Sequence, residues 1–199
     1  MVTGFGVMGT KNMTLVKRLS RFFGHSNDIS YQLYGALVSQ ARKPAFYTNA
    51  GVPDTMDGRF DMIVMHTYLI IRRLNDAGES GKELAQQLFD DMFLDMDRSL
   101  REVGVGDLSV PKKIKVMAKA FYGRCTAYEE AMDAGDLEAL ADVIQRNIFA
   151  DINPPAGAVR ALCGYMFDSD EALQLQDNDS LLQGKIGFSE FSAPEAGQI

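Results

Sequence analysis

The sequence predicts an all-α fold, a single-domain irregular antiparallel bundle of about seven helices, and three observations carry that prediction. Apolar residues recur every three to four positions along most of the chain. Nowhere do β-branched residues alternate with polar ones over the length of a strand. The connections between periodic segments are short, as in bundles of antiparallel neighbours. With 199 residues, 46% hydrophobic and 24% charged, the chain can bury one continuous core.

Residues 1–11 are Gly-rich and aperiodic and are expected to form a tail. A short helix is expected over about Asn12–Phe23, closed by Gly24. A second runs from about Asp28 to Arg42 and stops before Pro44, because the residue preceding proline resists the helical conformation. A loop through Tyr47, Gly51 and Pro53 leads to a long helix, capped by Asp54 or Asp57 and reaching Asn75. Its apolar residues surround it between Phe60 and Ile71, which marks it as the central helix. Ser80 and Glu83 have capping-box spacing and open a fourth helix that runs to Val103 and is stopped by Gly104 and Gly106. A fifth spans Ser109–Asp133 with Pro111 in its first turn, a sixth Leu137–Phe149, and a last Ala156–Gln174 after the paired Pro154 and Pro155. The division is thus residues 1–24 as tail and lead helix, 25–184 as the helical domain, and 185–199 as a C-terminal tail.

A net charge of −7 argues against wholesale nucleic-acid binding, and no DNA partner is expected. Two cysteines in helical stretches make no disulfide framework and fit a reducing cytoplasm. The longest apolar run, Met62–Ile71, is too short to cross a bilayer of roughly 30 Å.

Several motifs carry less than their letters suggest. Gly4-Phe5-Gly6-Val7-Met8-Gly9 matches a dinucleotide fingerprint but lacks the preceding strand that would present the glycine turn to a pyrophosphate. Gly78–Lys82 is too short for a phosphate loop and reads as a helix start. His66 has no second histidine or cysteine at ligand spacing and reads as a buried, hydrogen-bonded histidine; no metal or other cofactor is expected. The main enzymatic alternative uses Asp57/Asp61 and Asp91/Asp95, each pair four residues apart on one helical face. Opposed in a bundle, such pairs could hold magnesium against a prenyl diphosphate, as in squalene-synthase-like enzymes. Caps and salt-bridged faces explain the same spacing.

Two basic features stand out. Leu15, Leu19 and Phe22 share one face of the lead helix with Lys17, Arg18 and Arg21 opposite, a pattern suited to an anionic membrane or to a partner, and equally to packing on the chain's own bundle. Lys112, Lys113, Lys115, Lys119 and Arg124 lie in a stretch without an acid from Pro111 to Cys125. Cations at a helix N-terminus oppose its dipole at a cost of about 0.3–1 kcal/mol each, so folding alone does not account for them. An intramolecular carboxylate cluster such as Asp90–Asp97 would be the internal compensation.

From about Tyr31 to Tyr128 the chain resembles the ubiquinol–cytochrome c chaperone family. The resemblance rests on Gln40-Ala41-Arg42-Lys43-Pro44-Ala45-Phe46-Tyr47, Gly51-Val52-Pro53-Asp54-Thr55-Met56-Asp57-Gly58-Arg59-Phe60-Asp61, His66 and Arg73-Leu74. It continues through Phe89-Asp90, Asp95-Met96-Asp97, Leu100–Asp107 and Ala120-Phe121-Tyr122-Gly123-Arg124. It implies a helical, non-catalytic protein that holds newly made cytochrome b during assembly of the cytochrome bc1 complex; whether it does so alone or with a second assembly factor is left open by the sequence. A bacterial cytoplasmic protein that visits the inner membrane peripherally is expected.

Within that block Arg42, Phe46, Tyr47, Arg59, Asp95, Arg98, Arg101, Asp107, Lys112, Lys115, Tyr122 and Arg124 are the candidate client or partner contacts. The alternative is a hydrogen-bonded scaffold linking the 43–60 segment to the fourth and fifth helices.

Overall fold

The computed structural model describes residues 28–150 and 152–192. The expected lead helix, its membrane-facing residues Leu15 to Phe22 and the Gly4–Gly9 fingerprint lie outside the described residues.

The described chain is all-α. Its helices are α1 (Asp28–Ala41), α2 (Pro44–Thr48), α3 (Met56–Asn75), α4 (Gly78–Glu102), α5 (Val110–Asp133), α6 (Leu137–Ile148), α7 (Ala158–Gln174) and α8 (Asn178–Leu182). Helix α3 is the axis: every residue from Phe60 to Ile71 is buried, and α1, α4, α5, α6 and α7 all pack on it. The absence of a polar stripe in this segment has that physical cause, since neighbours cover all its sides.

Local chemistry sets the boundaries, in places differently from the sequence expectation. Thr55, rather than Asp54 or Asp57, caps α3, its hydroxyl accepting from the Gly58 amide at 3.1 Å. Helix α4 begins at Gly78, two residues before the expected capping box, with no side-chain cap. The two-residue link after α3 leaves no room for a cap segment, so Ser80 falls within the first turn. Asp136 caps α6 through the amides of Glu138 and Ala139. Pro44 starts the short α2 where a loop was expected, its ring being suited to a first helical turn.

Two glycines are required by close approach. A Cβ at Gly58 would collide with the Pro53 carbonyl oxygen, and one at Gly81 with that of Leu74. The first holds the 53–58 entry against α3; the second lets α4 fold back directly on α3.

This hairpin places the start of α3, the end of α4 and the start of α5 at one end of the bundle. At the opposite end Arg72 gathers Asp133 at 2.7 Å, Asp170 at 3.2 Å and Glu129 at 3.5 Å, joining α3 to α5 and α7. Arg73 closes α7, donating to the carbonyls of Leu173 and Gln176 and to the Asn178 side chain. Cys125 and Cys163 are buried free thiols.

Beyond Gly184, where a tail was expected, residues 185–192 lie without helix against the bundle. Gln176 exchanges two hydrogen bonds with the Gly187 backbone, at 2.7 and 3.1 Å. Phe188 meets the His66 ring edge-on at 5.1 Å, and Phe191 packs 4.9 Å from Phe46.

Candidate functional site

A groove of about 400 Å³ opens where α3, α4 and α5 meet. Met56 and Phe60 come from α3, Leu100 from α4, and Val116, Met117 and Ala120 from α5, so its walls are mainly apolar. Lys112 and Lys113 also line it, both exposed. Spacing on α5 explains the convergence: residues 112, 116, 120 and 124 recur at intervals of four, and 113 and 117 lie alongside.

The groove also contains an ion pair. Arg124 approaches Asp61 at 2.7 Å, as a charge contact rather than an aligned hydrogen bond, and its guanidinium lies 5.7 Å from the Phe60 ring centroid. Burial pushes the Asp61 carboxyl up to about 7; Arg124 pulls the other way, and Asp57 adds to the rise. Removal of the carboxylate from water outweighs the attraction of its partner.

Lys112, Lys113, Lys115 and Lys119 make no ion pair among the described residues. The nearby acidic run is engaged elsewhere: Asp90 with Gln86, Asp91 with Ser30, Asp95 with Tyr34 and Asp97 with Arg101. The internal compensation considered from sequence is therefore not formed by these groups.

Of the twelve candidate contacts, the groove brings together Lys112 and Arg124. Arg101 and Asp107 are paired at 2.6 Å in the following turn, and Lys115 is exposed on α5. Arg42 and Arg98 are exposed away from the groove lining, while Arg59 pairs with Asp54 at 2.6 Å. Phe46 is fully buried against His66, Tyr165 and Phe191. Tyr47 donates to the Ala41 carbonyl, Tyr34 donates to Asp95, and the partly buried Tyr122 ring packs tilted against Phe89 and edge-on to Phe121. Sequence reasoning missed Met56, Phe60, Leu100, Lys113, Val116 and Met117 as one surface; the four-residue spacing on α5 was the available signal.

The arrangement needed for diphosphate chemistry is not formed. Asp57 and Asp61 face the groove, whereas Asp91 and Asp95 bond to α1 and do not line it. Among the described residues no group of three or more His, Cys, Asp or Glu side chains could hold a metal ion.

The model of the ubiquinol–cytochrome c chaperone family matches residues 48–191, which include the whole groove. The chain belongs to that family. It resembles the crystal structure of the Cbp3 homolog from Brucella abortus with a TM-score of 0.75 and 36% identity, covering 90% of this chain and 97% of that one. Ubiquinol-cytochrome-c reductase complex assembly factor 1 of Xenopus laevis is 21% identical over 84% of this chain and 84% of that protein. The human protein of that name is 25% identical over 79% of this chain, which spans 52% of its length. Family membership makes the chain an assembly chaperone of the bc1 complex by class, and the groove is its candidate contact surface.

Proposed function

We propose that the chain holds newly made cytochrome b while the ubiquinol–cytochrome c reductase complex assembles around it, without catalysing a reaction. The observation that carries this reading is the family match across residues 48–191. The groove supports it physically: apolar walls can shelter an apolar client side chain, and the unpaired Lys112 and Lys113 can select an acidic flank. Contact with the inner membrane through Leu15, Lys17, Arg18, Leu19, Arg21 and Phe22 is carried by the sequence alone. Among the described residues no helix is long and apolar enough to cross a membrane. The protein is placed by this reading on the cytoplasmic side of a bacterial inner membrane.

Deleting the gene in its host should lower assembled bc1 complex and spectroscopic cytochrome b while leaving other respiratory complexes intact. A photo-crosslinker at Met117 should capture cytochrome b during its synthesis. Normal cytochrome b in the deletion strain would overturn the reading.

A further inference from the structure

We infer that the corner joining α4 to α5 is a lipid-contacting surface that seats this end of the bundle on an anionic membrane. Two observations meet there. The first is aliphatic exposure: Leu108 is 90% exposed, Val116 68% and Val103 59%. The second is charge. Residues 101–119 carry five basic and two acidic side chains in a protein of net charge −7, and Lys112, Lys113 and Lys115 have no ion-pair partner among the described residues. One of the two acids, Asp107, is held by Arg101 at 2.6 Å; the other, Glu102, is exposed.

The chemistry of the exposed residues selects the occupant. Polyanions offer lysine its counter-charge, but a nucleic acid is gripped by aromatic or guanidinium faces on its bases; here the one guanidinium of residues 101–119, Arg101, is held by Asp97 and Asp107, and the exposed apolar groups are Leu108 and Val103 with Val116 at the groove rim. Aliphatic side chains partition into the boundary between headgroups and acyl chains, while lysine stems reach back to lipid phosphates. Leu108 protrudes from a turn rather than lining a concavity. A fluid interface accommodates such a point; a protein partner would need a matching pocket. The surface lies outside residues 1–24 of the sequence, and it shares Lys112, Lys113 and Val116 with the rim of the groove. It would place the groove mouth beside the bilayer, where a membrane-inserted client emerges.

The sequence contains no tryptophan, so Leu108→Trp introduces a single fluorescent reporter at an exposed position. With the full chain and vesicles of phosphatidylcholine containing phosphatidylglycerol, its emission should shift to the blue and be quenched by brominated acyl chains. Neither should occur with phosphatidylcholine alone. In co-sedimentation of the otherwise unchanged protein, Lys112→Gln, Lys113→Gln and Lys115→Gln together should weaken partition onto anionic vesicles by roughly a hundredfold. Leu108→Ser should weaken it about tenfold, with the melting temperature unchanged. An unshifted, unquenched tryptophan, or equal vesicle binding by parent and variants, overturns the proposal. So does a polyuridine complex lost in the lysine variant and untouched by Leu108→Ser when neither change affects vesicles, which would assign the corner to nucleic acid. Because no cytochrome b is present, these outcomes are independent of the chaperone reading.

Discussion

Tyr34 on α1 donates its hydroxyl to the Asp95 carboxylate on α4 at 2.8 Å, and one helical turn earlier Ser30 donates to Asp91 at 2.6 Å. Both partners advance by four residues, so the two helices run parallel and in register here. Matching spacing on both sides makes this a specific clasp rather than a general polar contact. The Asp91/Asp95 pair thus has a structural employment.

Ser30→Ala should cost about 1–3 kcal/mol, because the largely buried Asp91 loses a charge-assisted hydrogen bond. Tyr34→Phe should cost about 1 kcal/mol, the Asp95 end being closer to solvent. Urea unfolding of the single and double variants measures both values. Strict additivity would show that the two rungs form independently.

The Asp61–Arg124 pair predicts a pH dependence of unusual sign. Unfolded, Asp61 titrates near about 3.9; in the fold burial raises it to about 7. Between those values the native state holds the additional proton. Its contribution to stability is full below the lower value and is lost as pH rises through the upper one. Asp61→Asn stays neutral throughout, so its stability relative to the parent should improve steadily from about pH 5 to about pH 8. A pH-independent difference in unfolding free energy between the two proteins would refute this.

His66 should show the reverse trend. Its Nδ1–H donates to the Met62 carbonyl at 2.7 Å, Tyr165 donates to Nε2 at 2.7 Å, and Gln40 donates to the Tyr165 oxygen at 2.9 Å. Burial lowers its pKa to about 4, against about 6.5 unfolded. The neutral ring is the native form, so its contribution is present above the unfolded value and is lost as pH falls towards the folded one. His66→Gln should remove that acid-side slope, and Tyr165→Phe should cost about 1–3 kcal/mol by leaving two polar groups in the core without their partner. Melts of each variant across the same buffers separate the two opposing titrations.

Much of this fold was legible because its signals are local. The unbroken apolar circumference of 60–71 identified the central helix, and Gly104, Pro111 and Pro154 marked boundaries near where they fall. The departures occur where tertiary contacts decide. Thr55 outcompetes Asp54 as a cap because Asp54 is engaged by Arg59, a pairing that spacing alone does not reveal. Phe46 sits in a polar, proline-bearing stretch that resembles a surface motif, yet its ring fills the space between α3 and α7. The groove was half visible: Lys112 and Arg124 stood out by charge. The apolar residues between them, Val116, Met117 and Ala120, carry no charge signal, and they form a groove wall only because Met56, Phe60 and Leu100 are brought beside them by α3 and α4.

The C-terminal segment yields the remaining prediction. Phe188 and Phe191 contact His66, Phe46 and Tyr165, and Gln176 fixes the segment leading to them through its paired bonds with Gly187. A fully buried phenylalanine cut to alanine costs about 3–5 kcal/mol, and both rings here keep some exposure. Phe191→Ala is therefore expected to cost about 2 kcal/mol, and Phe191→Leu less than about 1 kcal/mol because most of the volume remains. Gln176→Ala should lose about 1 kcal/mol by releasing the Gly187 clasp. Ending the chain at Gly187 removes both rings and uncovers the His66 cluster, so its destabilisation should exceed that of Phe191→Ala. Its His66 pKa should also move back towards the unperturbed value as water reaches the ring. Denaturant unfolding with NMR titration of His66 tests the whole set: a truncated chain as stable as the parent, with the histidine unshifted, would show that Phe188 and Phe191 lie on the bundle without stabilising it.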